Sequence, residues 1–146
     1  MATVHDVAAY ILKNRGPISA MKLHKLVYYC QAWSLAWEDR PIFPEQIQAW
    51  VNGPVVPAIY EKHRGEFMLN EWITGDVNAL IASDRETIDI VLASYADKDA
   101  QYLSDLTHKE DPWRLARRGL APSERGCSEI TLASMMEYYS SIPADE

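Results

Sequence analysis

The amino-acid sequence predicts a mainly α fold, a single compact helical domain with a small two- or three-stranded β element. Apolar residues recur at helical spacing in several segments that begin at cap residues and end at Gly or Pro. Only one short segment, residues 46–51, alternates polar and apolar side chains with period two. With 146 residues, 48% of them hydrophobic and 24% charged, the chain has the size and composition of one ordered domain. We therefore expect residues 1–146 to share a single core.

A first helix is predicted directly after Thr3. Asp6 follows Thr3 at the spacing of an approximate capping box, and Val7 and Ile11 continue the apolar spacing. Residues 14–17 then place a glycine and a proline where a helix ends. We expect a helix of about three turns.

A second, longer helix is predicted with Ser19 as its N-cap. Its apolar positions follow the i, i+3, i+4, i+7 pattern and comprise Leu23, Leu26, Val27, Cys30, Trp33 and Trp37. Other apolar residues cover most of the remaining surface, which leaves a narrow polar strip of His24, Gln31 and Glu38. Such a helix is usually central and buried.

Between residues 40 and 65 the long helical pattern gives way to shorter segments. Residues 41–44 and 46–51 are predicted to form two short strands packed beside the helices. Asn52-Gly53-Pro54 is predicted to be a turn, because Gly allows unusual φ values and Pro fixes φ. Pro57 suits the first turn of a helix that ends near Gly65.

The last part of the chain predicts further helices. Residues 66–82 are ambiguous between strand and loop. Ser83 and Glu86 form a capping box for a helix from Asp84 to about Ala96. Short helices are expected around residues 102–106 and from Asp111, as N-cap, with Pro112 at the first helical position. A polar loop at residues 119–126 precedes a last helix that Ser128 is expected to cap.

Charge is unevenly distributed along the chain. The net charge is −7; residues 1–64 hold seven Lys/Arg and five Asp/Glu, whereas residues 65–146 hold seven and sixteen. An acidic half repels a phosphate backbone and attracts a basic protein. Ordinary charge for solubility is the alternative explanation.

The two cysteines, Cys30 and Cys127, have neither zinc-ligand spacing nor the pattern of a disulfide framework. The N-terminal residues lack a basic segment followed by an apolar one, and no apolar run reaches about 18 residues. We therefore expect a cytoplasmic protein without membrane contact.

The polar residues offer few candidates for catalysis or metal binding. His24, His63 and His108, with Glu38, Glu110 and Asp111, are the candidate ligands or general bases. The chain has no HExxH, no CxxC and no close pair of histidines in sequence, and no nucleophile or phosphate-loop motif. We expect no catalytic residue, metal or cofactor, and a small metal-assisted hydrolase is the remaining enzymatic alternative.

Four segments together resemble one known family. Lys22–Gln31 reads KLHKLVYYCQ, Ala49–Tyr60 reads AWVNGPVVPAIY, and Val7–Leu12 and Leu106–Trp113 add two further matches. In this order they resemble the Panacea domain family, that of SocA-like antitoxins and phage-associated proteins, from about Thr3 to Tyr139. His24 stands where the family usually has Gln, and Asn52 where an aromatic residue is common.

The resemblance implies a non-enzymatic bacterial or prophage antitoxin that binds and neutralises a cognate toxin by direct contact. Within the family, SocA also acts as an adaptor that delivers its toxin to the ClpXP protease, so ClpXP is a second expected partner. The oligomeric state is left open.

We expect toxin contacts on a rigid aromatic and Gly-Pro surface, because preorganised backbone loses little entropy on docking and Trp residues often anchor interfaces. The candidate residues are Trp50, Asn52, Gly53, Pro54, Tyr60 and Trp113. The alternatives are a turn that merely joins strand to helix, and a Trp113 that belongs to the core. We expect Gly53→Arg to keep the fold and to lose protection.

Two other functions remain open in the sequence, a winged-helix DNA-binding regulator and a phage-accessory protein. A helix pair followed by two short strands is compatible with a winged helix. A recognition helix, however, needs an exposed basic face, and the second helix is mainly apolar. Nucleic acid is therefore not the expected partner.

Overall fold

The computed structural model describes residues 1–142, and within them the chain forms seven α-helices and five short strands. The helices are α1 (Val4–Arg15), α2 (Ala20–Glu38), α3 (Pro57–His63), α4 (Ala82–Tyr95), α5 (Ala100–His108), α6 (Asp111–Ala116) and α7 (Leu132–Ser140). The strands are β1 (Ile18–Ser19), β2 (Ile47–Trp50), β3 (Gly53–Val55), β4 (Met68–Leu69) and β5 (Glu129–Ile130). The predicted mainly α fold with a small β element is confirmed.

Helix α2 lies at the centre of the fold, as predicted. It packs against α7 and α4 most extensively, and also against α1, α5 and β3. Ser19 caps it, since the Lys22 N–H donates to Ser19 Oγ at 3.1 Å. The polar strip of α2 does not face solvent along its whole length. His24 and Gln31 are buried, and each forms a hydrogen bond with a backbone group outside the helix.

The larger sheet has the antiparallel order β3-β2-β5. Trp50 lies opposite Gly53, so the turn is formed by Val51 and Asn52, one residue earlier than predicted. Gly53 and Pro54 belong to β3 itself. Pro54 is tolerated there because β3 is an edge strand, in which a missing N–H does not break the ladder.

The predicted strand at residues 41–44 is wrong. The Gln31 side chain takes the place of a partner strand: its Oε1 accepts from the Ile42 N–H at 2.8 Å, and its Nε2 donates to the Phe43 carbonyl at 2.8 Å. Ile42 and Phe43 are fully buried against the core. The segment therefore stays irregular while its backbone polar groups are satisfied.

The start of α4 also differs from the prediction. The helix begins at Ala82 with Ile81 as its N-cap, so the Ser83 capping box does not form. Ser83 Oγ instead accepts a hydrogen bond from Arg40 at 2.8 Å, and Arg40 also pairs with Asp84 at 2.9 Å. Ser83 thus bonds to Arg40, which is distant in sequence, and does not cap the helix.

The caps of the last two helices are each displaced from the prediction. Glu110, and not Asp111, is the N-cap residue of α6. Helix α7 begins after Thr131, whose Oγ1 accepts a hydrogen bond from the Ser134 N–H at 3.1 Å. The helix cannot begin earlier because residues 129–130 pair with β2. Ser128 therefore lies before β5 and caps no helix.

The ambiguous residues 66–82 contain β4, which pairs with β1, and a 3-10 turn at Val77–Ala79. In the part of the chain that the structure describes, no helix combines the length and the apolar character needed to cross a membrane.

A buried tyrosine-carboxylate cluster joins α2, α6 and α7. The hydroxyls of Tyr29 and Tyr139 both donate to Glu110 Oε1, at 2.7 and 2.8 Å. Because Tyr139 uses its proton there, Tyr28 donates to Tyr139 Oη at 3.0 Å. Burial raises the pKa of Glu110 and the two hydrogen bonds oppose the shift. Tyr28 and Tyr29 are thus core residues.

Candidate functional site

The hairpin at residues 49–54, formed by the end of β2, the turn and the start of β3, is held by side chains of α2, α5 and α6 and by Arg117, which follows α6. Five of its carbonyl oxygens lie within hydrogen-bond distance of a side-chain donor: Ala49 of Arg117 (3.1 Å), Trp50 of Trp113 (2.8 Å), Val51 of His108 (2.9 Å), Asn52 of Ser104 (2.6 Å) and Pro54 of Lys25 (3.4 Å). We call residues 49–54 the clamped hairpin. Tertiary hydrogen bonds of this number fix its backbone before any partner binds.

Trp113, one of the predicted contact residues, lies beneath the clamped hairpin. Only 8% of its surface is exposed, and its indole N–H is used by the Trp50 carbonyl. Its ring packs against His108, with centroids 3.9 Å apart, and under the Arg117 guanidinium at 5.2 Å. Trp113 therefore positions the hairpin from the core side.

The other predicted residues divide by exposure. Trp50 and Tyr60 are half-buried, and their rings meet edge to face with centroids 5.1 Å apart. Asn52 is exposed at the turn, whereas Gly53 and Pro54 are buried. Trp50, Asn52 and Tyr60 line one cavity and form the accessible part of the predicted surface.

Gly53 cannot be replaced without strain. Its φ is +123°, a region that side chains rarely adopt, and a Cβ atom there would lie 2.5 Å from Lys25 Cε. We therefore expect Gly53→Arg to lower the stability of the protein as well as its protection. Asn52, exposed at the turn, is the position at which a large side chain is accommodated.

The cavity beside the clamped hairpin has a volume of about 650 Å³. Its walls come from α2, the hairpin, α3 and residues 125–127. Sequence reasoning missed residues 125–127, because they belong to a polar segment without periodicity or a motif. Arg125 and Lys25 both line the cavity, and no Asp or Glu of the described residues does.

Two histidines that are 39 positions apart meet at this cavity, with His24 Nε2 2.8 Å from His63 Nε2. The Val56 N–H donates to His24 Nδ1 at 3.1 Å, so the proton of a neutral His24 ring is on Nε2. That proton is donated to His63, whose own proton is then on Nδ1. Burial lowers the pKa of both rings, and Lys25 lowers that of His24 further.

Lys25 is the other buried group of the cavity. It is 1% exposed, and burial lowers the pKa of its ammonium to about 8. Its hydrogen bond to the Pro54 carbonyl is long, and it forms no ion pair with any carboxylate among residues 1–142. Nothing in the helical spacing of the second helix signals the burial of Lys25.

The remaining candidate ligands stay apart. Residues 1–142 contain no group of three or more His, Cys, Asp or Glu side chains arranged to hold a metal ion. Cys127 is exposed at the cavity, whereas Cys30 is buried inside α2, where burial raises the pKa of its thiol. His108 is occupied with backbone carbonyls of the hairpin and of α5.

Comparison with known families gives one match: the family described as antitoxin SocA-like, Panacea domain, over residues 23–114. Comparison with curated proteins and with solved structures gives no match. The matched segment runs from α2 to α6 and contains the clamped hairpin, Lys25, both paired histidines and Trp113. Because the match covers more than half of the 146 residues, the chain belongs to the SocA-like antitoxin family of Panacea domains.

Proposed function

We propose that this protein is a non-enzymatic antitoxin that neutralises a cognate toxin by direct contact through the clamped hairpin and Tyr60. The observation that carries the proposal is the contrast between the held backbone of residues 49–54 and the accessible side chains of Trp50, Asn52 and Tyr60. A surface of this kind loses little conformational entropy on docking. Half-buried Trp and Tyr side chains are also the residue types that contribute most to interfaces.

In this proposal Gly53, Pro54 and Trp113 contribute indirectly. Gly53 allows the backbone to approach Lys25, Pro54 limits the conformations of β3, and Trp113 holds the Trp50 carbonyl. They are positioning residues for the three accessible ones. Substitutions at all six positions should therefore weaken partner binding. Substitutions at the three buried positions should also lower the free energy of unfolding.

We take the antitoxin domain to extend over residues 1–146. Helices α1 and α7 lie outside the matched segment, yet both pack on α2 and contribute fully buried residues such as Ile11 and Met135. A domain cut at residues 23 and 114 would expose that apolar surface. Residues 143–146 lie outside the described part of the chain.

Charge supplies a second element of the proposal. The acidic excess of residues 65–146 would increase the encounter rate with a basic toxin. We further propose that the protein delivers the bound toxin to ClpXP, an adaptor role that requires a second surface apart from the hairpin. The two roles predict different fates for the toxin, which is neutralised intact in the first and degraded in the second.

Co-expression tests this proposal. The protein encoded beside this chain is induced alone and then together with the chain, while growth and co-purification on a tag are measured. Killing that this chain relieves, with recovery of the complex, is the expected result. Recovery of the neighbour only when ClpXP is deleted would establish the adaptor role. A harmless neighbour that never co-purifies would contradict neutralisation.

A winged-helix mode of DNA binding has little support in the geometry. The helix that would enter a groove, α2, is enclosed by α1, α4, α5 and α7. Lys25, the cation nearest to its middle, is buried beneath the hairpin. A major groove needs an exposed recognition helix, which α2 does not offer.

A further inference from the structure

The cavity beside the clamped hairpin has donors that lack acceptors. The Lys25 ammonium can donate three hydrogen bonds, and its one protein acceptor among residues 1–142, the Pro54 carbonyl, lies at the long distance of 3.4 Å. His63 Nδ1, which carries the ring proton, has no partner among the same residues. Buried donors without acceptors are costly, so the cavity favours a group that accepts hydrogen bonds.

The charge of the cavity points in the same direction. Lys25 lies inside, Arg125 lies at its exposed wall, and no carboxylate of the described residues lines it. A buried ammonium without a counter-ion is stabilised by any anion that reaches it. The protein as a whole has a net charge of −7, which repels anions. An anion would therefore be attracted by the local positive charge of the cavity and not by the charge of the whole protein.

We propose that this cavity is a binding site for a small organic carboxylate, whose anionic group pairs with the Lys25 ammonium and whose apolar body packs against the adjoining rings of Trp50 and Tyr60. Aromatic and aliphatic side chains, including Met21 and Val55, form much of the remaining wall. A volume of about 650 Å³ lies within the usual range of metabolite sites, which are concave and mostly apolar with few polar groups.

A carboxylate fits this site better than a phosphate ester. Phosphates are usually held by Arg forks, by runs of backbone N–H groups or by the N-terminus of a long helix. Here one buried ammonium supplies a single compact charge, and the guanidinium of Arg125 is exposed. The proposal concerns the isolated protein and does not depend on the toxin contact.

The probes for the test are benzoate, its neutral isostere benzamide, and phenyl phosphate. Binding to the purified wild-type protein is measured by titration calorimetry, and the Lys25 ammonium is titrated by NMR with and without saturating benzoate. We expect benzoate to bind at least tenfold more tightly than either other probe. We also expect it to raise the pKa of Lys25 from about 8, because a carboxylate favours the charged ammonium.

The variant Lys25→Met keeps the length and apolar body of the side chain and removes the charge. It should lose the preference for benzoate over benzamide, whereas Lys13→Met, at an exposed position of α1, should keep it. Equal affinity of the wild type for benzoate and benzamide, or an unmoved Lys25 pKa, would overturn the proposal. Tighter binding of phenyl phosphate would overturn the assignment to carboxylates. The wild-type measurements decide the matter even if Lys25→Met does not fold.

Discussion

Gly53 and Lys25 are packed so closely that a methyl group on Gly53 would lie 2.5 Å from Lys25 Cε. The contact joins the edge strand β3 to the central helix α2 and places the lysine ammonium near the Pro54 carbonyl. The clamped hairpin and the cationic cavity are therefore two sides of one arrangement. A substitution of either residue should therefore affect both the clamped hairpin and the cavity.

Gly53→Ala should destabilise the protein by roughly 3 kcal/mol, because backbone strain at φ +123° adds to the clash with Lys25. Gly65→Ala is the matched control, since Gly65 has φ +92° with no atom within 4 Å of its would-be Cβ. Its cost should be backbone strain alone, about 1 kcal/mol. Urea unfolding measures both, and equal losses would contradict the close packing of Gly53 on Lys25.

The His24–His63 pair predicts a loss of stability in acid. Burial lowers the pKa of both rings below 6.5, so the unfolded chain binds more protons than the folded one as the pH falls through that value. The free energy of unfolding should fall by at most about 1.4 kcal/mol per pH unit for each histidine.

The variant His63→Gln tests the assignment to this pair. Its side-chain oxygen can still accept from His24 Nε2, while one of the two titrating rings is removed. Its free energy of unfolding, measured by urea between about pH 7 and 5, should fall less steeply than that of the wild type. Parallel curves for the two proteins would show that His63 titrates normally in the fold.

Glu110 should be replaceable by Gln but not by Ala. The amide of Glu110→Gln would keep an oxygen that accepts from Tyr29 and Tyr139, and burial already disfavours the ionised form of Glu110. We expect this variant to change stability by less than about 1 kcal/mol near pH 7. Glu110→Ala leaves two buried hydroxyls without an acceptor and should cost roughly 3 kcal/mol, as urea unfolding of both variants would measure.

The pH dependence of Glu110 has the opposite sign to that of the histidines. Its pKa is raised by burial, so the folded protein binds the proton more tightly than the unfolded chain does. The stability of the wild type relative to Glu110→Gln should therefore decline as the pH rises above about 4.5. An advantage of the wild type that grows with pH would contradict this account of the cluster.

The two cysteines should differ sharply in reactivity. Cys127 is exposed, whereas Cys30 is buried and burial raises the pKa of its thiol. A colorimetric thiol reagent should modify one thiol per native chain and two per unfolded chain. The variant Cys127→Ser should leave no reactive thiol in the native protein. Rapid modification of that variant would show that α2 opens far more readily than its packing indicates.

Most helices follow from the sequence because their signals are local. Ser19 caps α2 and the apolar spacing of residues 23–37 marks it as central, and both features are present in the structure. The failures occur where a distant side chain takes over a local role. Gln31 satisfies the backbone of residues 42–43, and Arg40 takes Ser83 away from its predicted cap.

The candidate site is only partly readable from the sequence for the same reason. The motif at residues 49–60 marks the hairpin, and its aromatic residues do line a cavity. The burial of Lys25 and the meeting of His24 with His63 depend on how α3 and β3 cover α2, which no spacing along the chain encodes. Three of the side chains that hold the hairpin come from α5 and α6, more than 50 residues later in the chain.

One measurement tests the proposed toxin surface most directly. It is the affinity for the co-expressed neighbour of three purified proteins, the wild type, Asn52→Arg and Asn78→Arg. Both residues are exposed, but Asn52 is at the tip of the clamped hairpin and Asn78 lies in the 3-10 turn beside α1. Both variants should unfold at the wild-type temperature. We predict a loss of at least about tenfold in affinity for Asn52→Arg and none for Asn78→Arg. Wild-type affinity in a folded Asn52→Arg protein would contradict the account.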